Sequence, residues 1–223
     1  MKLTRAVIAI GYAAVLSCAA VLIGPAPASA IATLTLNDHA NPIVTVVDGG
    51  VGDLCAAAGC VTFSGSIGAW IVNVSTGISF SPFPHIDLNS VNVSNAAGTL
   101  DLTFGDIDFT SGAGPHAVDL ASLIGGTAGG QVSWHSGIND SNTLPITLFG
   151  NSYGPAGPGA FSQTNVDHYN ADGTYALGLF VTIVHTTAGI TSFDYEGQVP
   201  EPATLLLMGV GLLTAGALRR RNN

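Results

Sequence analysis

The sequence predicts an all-β chain, an antiparallel β-sandwich of jelly-roll-like kind, flanked by an N-terminal signal helix and a C-terminal transmembrane helix. Three observations predict it. Short runs between the two ends alternate apolar with polar residues, the period of a half-buried strand. Clusters of Gly, Asn, Asp, Ser and Pro separate those runs and supply turns. No internal segment carries a helical period; "AVDLASLIGG" comes nearest and is short. With 223 residues, 29 Gly, 11 Pro and only 9% charged residues, the chain is too apolar for disorder and fits one domain with processed ends.

Residues 1–30 read as a signal peptide. Lys2 and Arg5 precede an apolar run from Ala6 to Gly24, and "PAPASA" closes it with small residues at Ala28 and Ala30. That pattern predicts cleavage by signal peptidase after Ala30. The alternatives are a retained anchor, against which the Pro-rich ending argues, and lipidation at Cys18 in "VLSC", where Leu16 fits the pattern poorly.

Residues 31–198 form the expected ectodomain. "ATLTL" alternates and "IVTVV" is β-branched. Removing the signal leaves Cys55 and Cys60 as an even pair in "DLCAAAGCVTF", in a compartment that permits disulfides. A bond between them closes a short loop and stabilises the fold by roughly 2 kcal/mol on the chain-entropy estimate. A redox pair or half a metal site is disfavoured, because no Cys-x-x-Cys, neighbouring base or second cysteine pair is present.

"AWIVNVST", "SVNVS" and "TLDLTFGDIDFT" continue the strands, the last placing Leu100, Leu102 and Phe104 opposite Thr99, Asp101 and Thr103. Asp106 and Asp108 then share a face at strand spacing near Asp101, a set that could offer oxygens to Ca²⁺, although a solvated strand face explains it more simply. "QVSWHS", "LPITLFG", "YALGLFVTIVHTT" and "ITSFDYEG" complete the series. The strand from about Leu177 to Val184 and the return from about Ile190 to Tyr195, joined by Thr187, Ala188 and Gly189, read as a closing hairpin. "GNSYGPAGPGAFSQT" reads as a loop, because its prolines lack ladder donors.

Charge excludes several functions. Lys2, Arg5, Arg219, Arg220 and Arg221 are the only Lys and Arg residues, so none falls between residues 31 and 218, while all fourteen Asp and Glu do. Such a domain cannot neutralise phosphates, which excludes nucleic acid as a partner and disfavours phosphate-binding enzymes. No cofactor is predicted. His39, His85, His116, His135, His168 and His185 never take His-x-His or His-x-x-x-His spacing, and read as surface or loop histidines. No Gly-x-Ser-x-Gly elbow occurs, since "SGSIG" around Ser66 fails by spacing. Trp70 and Trp134 suit core packing as readily as a sugar groove. A catalytic constellation is therefore not indicated.

Residues 199–223 carry the sharpest signal. Pro200-Glu201-Pro202 leads into an apolar stretch from Ala203 to Leu218, sixteen residues, closed by Arg219, Arg220 and Arg221. At helical rise that stretch spans about 24 Å, slightly under the ~30 Å hydrocarbon core, and the arginines keep the tail cytoplasmic. The set resembles the bacterial PEP-CTERM sorting signal, and "VTFSGSIGAWIVNVSTG", "DLNSVNVS" and "HTTAGITSFDYEGQVPEP" resemble ectodomain stretches of such proteins. The resemblance implies a membrane-anchored precursor processed by exosortase near the triplet. It also implies delivery to the cell surface or extracellular polysaccharide of a Gram-negative-type bacterium, and it implies no enzymatic activity. The expected function is a noncatalytic surface or matrix protein associated with exopolysaccharide or biofilm. The alternatives are a binding module for glycan, Ca²⁺ or ice and, third, a secreted hydrolase.

Overall fold

A computed structural model of the protein describes residues 31–81, 83–146 and 150–200. Ala30, Glu201, Pro202, the three terminal arginines and both expected terminal helices lie outside them. Among the described residues the protein is all β. Ten strands run β1 (Thr33–Asn37), β2 (Val44–Val47), β3 (Cys60–Ile67), β4 (Trp70–Ser79), β5 (His85–Ser94), β6 (Gly98–Ala128), β7 (Gln131–Asn139), β8 (Tyr153–Ala156), β9 (Gly159–His185) and β10 (Gly189–Gln198). Every pairing is antiparallel, as expected.

The architecture follows from two long strands. β6 and β9 pair from Gly98↔His185 to Ala128↔Gly159, with register shifts between Asp106 and Phe109 and between Thr110 and Pro115. Such bulges bend a ribbon, and the partners change across them. Before the bend, β6 pairs with β1 and the matching part of β9 pairs with β7; beyond it, β6 pairs with β10. One layer therefore reads β2-β1-β6-β9-β7-β8 and the other β3-β4-β5-β10-β6-β9, with the β6/β9 ribbon passing through both. The layers face each other: Gly77 of β4 abuts Phe104 of β6, and Gly197 of β10 abuts Leu179 of β9. Trp70 of β4 packs on the His185 ring at the end of β9, centroids 4.8 Å apart. The result is a sandwich-like fold.

Burial follows the alternation read from the sequence. Leu34 and Leu36, then Leu100, Leu102 and Phe104, point inward and are fully buried, as are Ile86 and Leu88 across the gap. β9 departs from it: Tyr175, Ala176, Leu177, Gly178 and Leu179 are buried in succession. Leu144 and Ile146 cover the outer face there, lying over Gly105 and Gly178, where a side chain would collide with them. A strand covered on both faces loses its polar alternation.

The structure corrects two expectations. The closing hairpin does not form, because β10 pairs with β5 and β6, not with β9. The end of β9 is already flanked on both edges by β6 and β7, so the chain crosses to the other layer. "GNSYGPAGPGAFSQT" is not a plain loop: it supplies β8 and the start of β9. β8 is a short edge strand attached to β7 at two pairs, a place where missing proline donors do little harm. "AVDLASLIGG", which lacks a full helical period, lies within β6, where Val118, Leu120 and Ile124 face inward.

Candidate functional site

The predicted cysteine pair is bonded: Cys55 and Cys60 form a disulfide with their Cα atoms 5.8 Å apart. Asp53 organises the loop it closes, with Oδ1 accepting the amides of Cys55 and Thr62 and Oδ2 that of Gly49, all at 2.9 Å. Those backbone hydrogen bonds outweigh desolvation and hold the Asp53 carboxyl below its ordinary range.

The aspartates of "LDLTFGDIDF" do not converge. Asp101 lies on the outer face, where Oδ1 accepts the Thr182 hydroxyl at 2.7 Å and Oδ2 meets His39 Nε2 at 2.9 Å. Asp106 points inward and is fully buried. The bulge after it turns Asp108 away, at φ 65°, into a reciprocal pairing with the Asn142 side chain. An inserted irregularity reverses which face follows, so spacing that puts Asp106 and Asp108 together in a regular strand separates them here. Among the described residues no group of three or more His, Cys, Asp or Glu side chains is placed to hold a metal ion.

The histidines make ring contacts more often than the sequence indicates. His39, His85 and His168 each face a carboxylate, Asp101, Glu196 and Asp119, at 2.7–2.9 Å. His135 stacks on Phe180 with centroids 4.4 Å apart. His185 corrects the expectation of a surface residue: it is 2% exposed, with Nδ1 2.6 Å from Ser94 Oγ and Nε2 2.7 Å from Thr191 Oγ1. This Ser-His contact has the spacing of a nucleophile and its base, but both residues are buried and the third partner is a hydroxyl. A carboxylate would be needed there to stabilise an imidazolium, and burial instead lowers the His185 pKa. The arrangement ties β9 to β5 and β10 across the layers.

An open concavity lies elsewhere, on the solvent side of the second layer. Three adjoining depressions of about 340, 270 and 190 Å³ run over β5, β10, β6 and β9. Strand register builds them. Glu196 lies directly opposite Asp87, and Asp194 lies between Asn89 and Gly125. Gly125 contributes no side chain, which leaves a notch between Asp194 and Ser162. The Asp87 carboxyl is pushed up to about 6, first by burial and then by the charges of Asp194 and Glu196, against the opposing effects of His85 and the Asn89 hydrogen bond. Like charges placed directly across a ladder destabilise it, so this trough is where the sheet carries an electrostatic penalty.

Its lining is mostly apolar and is edged by the Asp194 and Glu196 carboxylates, with no Lys or Arg anywhere in the domain to offset them. Val91, Leu123 and Val166 add exposed apolar surface at 38%, 46% and 48%. Anions are repelled; hydroxyl-rich neutral molecules and cations are not. Phe193, which borders the largest depression, is 4% exposed and turned to the core, so it presents no ring for stacking. Trp70 and Trp134 are both 1% exposed and belong to the core. Sequence reading missed the trough because its carboxylates come from distant segments, the only local hint being acids at outward positions of "HIDLN" and "SFDYEG".

The sequence's own handle begins where the sheet ends. Gln198 closes the β10 ladder, Val199 is buried with its amide donating to Pro84 O at 2.8 Å, and Pro200 is exposed. The first residue of the Pro-Glu-Pro triplet is therefore presented at the domain surface.

None of the curated proteins matches this chain. Among solved structures it is similar to the enzymatically active domain of bacteriophage CBA120 tailspike protein 4, with TM-score 0.35, 11% identity and coverage of 61% of this chain and 20% of that one. It is similar to an Arthrobacter globiformis T6 isomalto-dextranase complexed with panose, with TM-score 0.28, 12% identity and coverage of 62% and 23%. The K1 cleaved adhesin domain of Lys-gingipain from Porphyromonas gingivalis aligns with TM-score 0.30, 8% identity and coverage of 63% and 98%. The chain thus spans about a fifth of the length of the first two, and likenesses this distant carry no argument about activity. The decisive match is to the end of the chain: residues 198–221 match the PEP-CTERM protein-sorting motif. The motif implies export and processing by exosortase, and this chain carries that sorting motif over residues 198–221.

Proposed function

We propose that this is an exported, noncatalytic surface or extracellular-matrix protein, released from its membrane-anchored precursor by exosortase after signal peptidase has removed residues 1–30. The observation that carries the reading is the junction. The sorting motif starts at Gln198, the last ladder residue of the sandwich-like domain, so handle and cargo adjoin at the end of β10. Pro200 is exposed and its prolyl neighbourhood resists helix formation, which suits an extended substrate just outside the membrane. The apolar stretch holds that substrate at the membrane and Arg219, Arg220 and Arg221 hold the orientation; all are dispensable once the triplet is processed.

Replacing Pro200, Glu201 and Pro202 by alanine leaves the domain folded and the precursor in the membrane. Mass spectrometry of the wild-type surface protein should show loss of everything beyond the triplet. A surface protein that still carries residues 219–223 in cells with active exosortase refutes the reading.

A second reading, a glycan-binding module, is favoured by the trough, whose carboxylates, Asn89 and Ser162 suit hydroxyl groups. A glycan array probed with wild type and Asp194→Ala tests it: binding lost in the variant supports the module, and no wild-type binding removes it.

A further inference from the structure

Asp106 is the most deeply buried acid among the described residues. It is fully buried at the bend of β6. Its Oδ1 accepts two backbone amides, from Ile107 at 2.8 Å and from Ile31 at 2.9 Å, while Oδ2 has no hydrogen-bond partner of good geometry. Burial pushes this carboxyl up; the Ser79 hydroxyl and the Ile107 and Ile31 amides favour its ionised form, and Asp108 opposes it. Ser79 thus acts on it from the end of β4, the Ile31 amide from the segment before β1, and Asp108 from its own strand. No Lys or Arg occurs in residues 31–200 to neutralise it. A buried carboxylate with an unpaired oxygen is costly, and a protein retains one where a partner arrives.

That partner is already in position. Ile31 is the residue that follows the predicted cleavage point at Ala30, and its nitrogen is the one that touches Asp106 from outside β6. We propose that Asp106 is the receptor for the mature protein's own N-terminus, the α-ammonium group of Ile31. The step that creates it is hydrolysis of the Ala30–Ile31 peptide bond. Water supplies hydroxyl to the Ala30 carbonyl carbon and hydrogen to the Ile31 nitrogen, and the resulting amine takes up a further proton from solvent at neutral pH. One amide N–H becomes three N–H donors on a full positive charge, enough to keep the Oδ1 contact and reach Oδ2. Charge-assisted hydrogen bonds are shorter and about twice as strong as neutral ones. Thr33 Oγ1 donates to the Ile31 carbonyl at 2.9 Å and fixes the approach of the first residues. Signal removal then does more than free the chain: it supplies the domain, which has no Lys or Arg, with a cation at neutral pH placed against its buried acid.

The proposal rests on the reading of Ala30 as the cleavage position, and the experiment separates the two. N-terminal sequencing of the exported protein comes first: a terminus other than Ile31 refutes the cleavage reading and the ion pair together. With Ile31 first, the protein contains no lysine, so its α-amine is the only amine. The purified protein is unfolded, Nα-acetylated and refolded, then compared in urea with the free-amine form, with Asp106→Asn and with Asp106→Asn acetylated. Acetylation is expected to raise the unfolding equilibrium constant about 10- to 100-fold at pH 7, from the strength of hydrogen bonds between charged groups. It is expected to do nothing further in Asp106→Asn.

The pH profile has a definite sign. An ammonium that gains a carboxylate has its pKa raised above the usual ~8, so its contribution is fully present below pH ~8 and disappears as pH rises through the folded value. The acetylation effect should vanish at high pH. A variant with one Gly inserted ahead of Ile31 displaces the charge and should behave as the acetylated form, even if Asp106→Asn fails to fold. Equal stability of the free and acetylated forms at pH 7, with Ile31 as the first residue, overturns the ion pair alone.

Discussion

Replacing Asp87 by Asn should stabilise this protein at neutral pH, the reverse of what most substitutions at a partly buried site do. Asp87 faces Glu196 across the β5/β10 ladder, with Asp194 nearby, and its carboxyl sits at about 6 instead of 3.8. A fully buried group shifted that far would carry a penalty of about 3 kcal/mol when ionised; this one is partly open to solvent, and screening reduces the figure to about 1 kcal/mol. A folded pKa above the unfolded value means that the native state binds the proton more tightly. The penalty is therefore fully present above pH ~6 and relieved as pH falls towards ~4. Asparagine keeps an acceptor for the Asn89 side chain, which now donates to Asp87 Oδ1 at 2.7 Å, while removing the charge. Urea unfolding at pH 7 and pH 4.5 measures both effects. The variant should gain about 1 kcal/mol over wild type at pH 7 and lose most of that advantage at pH 4.5. A variant less stable than wild type at pH 7, or an advantage independent of pH, refutes the electrostatic account of the trough.

Other perturbations test the packing. Gly77→Ala places a methyl group against Phe104 where the layers meet, and overpacking of this kind should lower stability by about 1–3 kcal/mol, read as a reduced urea midpoint with unchanged slope. Phe104→Ala, at a fully buried position, should lower it by about 3–5 kcal/mol in the same assay. Replacing Cys55 and Cys60 by serine should lower stability by about 2 kcal/mol, with the wild-type protein under reducing conditions showing the same loss.

Legibility in the sequence divided along physical lines. The strands of the sandwich were readable because each covers the core with one face, so Leu34, Leu36, Leu100, Leu102 and Phe104 fall at period two. The Cys55–Cys60 bond was readable from export and parity. The partners of a strand are set by remote residues, and so the neighbours of β10 are not legible locally: a small polar connection at 186–188 suits a crossing between layers as well as a hairpin. The extension of β6 past Thr110 was hidden because "SGAGPH" has the composition of a turn while acting as a bend within one ribbon. Asp106 changed meaning for the same reason: the bulge beside it fixes whether it meets solvent or core. The acids of the trough were each visible, yet their juxtaposition depends on the pairing of β5 with β10.

The position of β10 bears on what happens when the protein is tugged. The strand that leads into the exposed Pro200 lies between β5 and β6, in register with β5 over ten positions and with β6 over seven. A pull arriving through the chain's C-terminal side does not peel an edge strand one rung at a time; it loads two ladders in parallel and along their length. Because β6 continues into the opposite layer, that load is shared by the whole sandwich, so a protein held by this end would resist shear from flowing liquid better than one tethered through an outer strand.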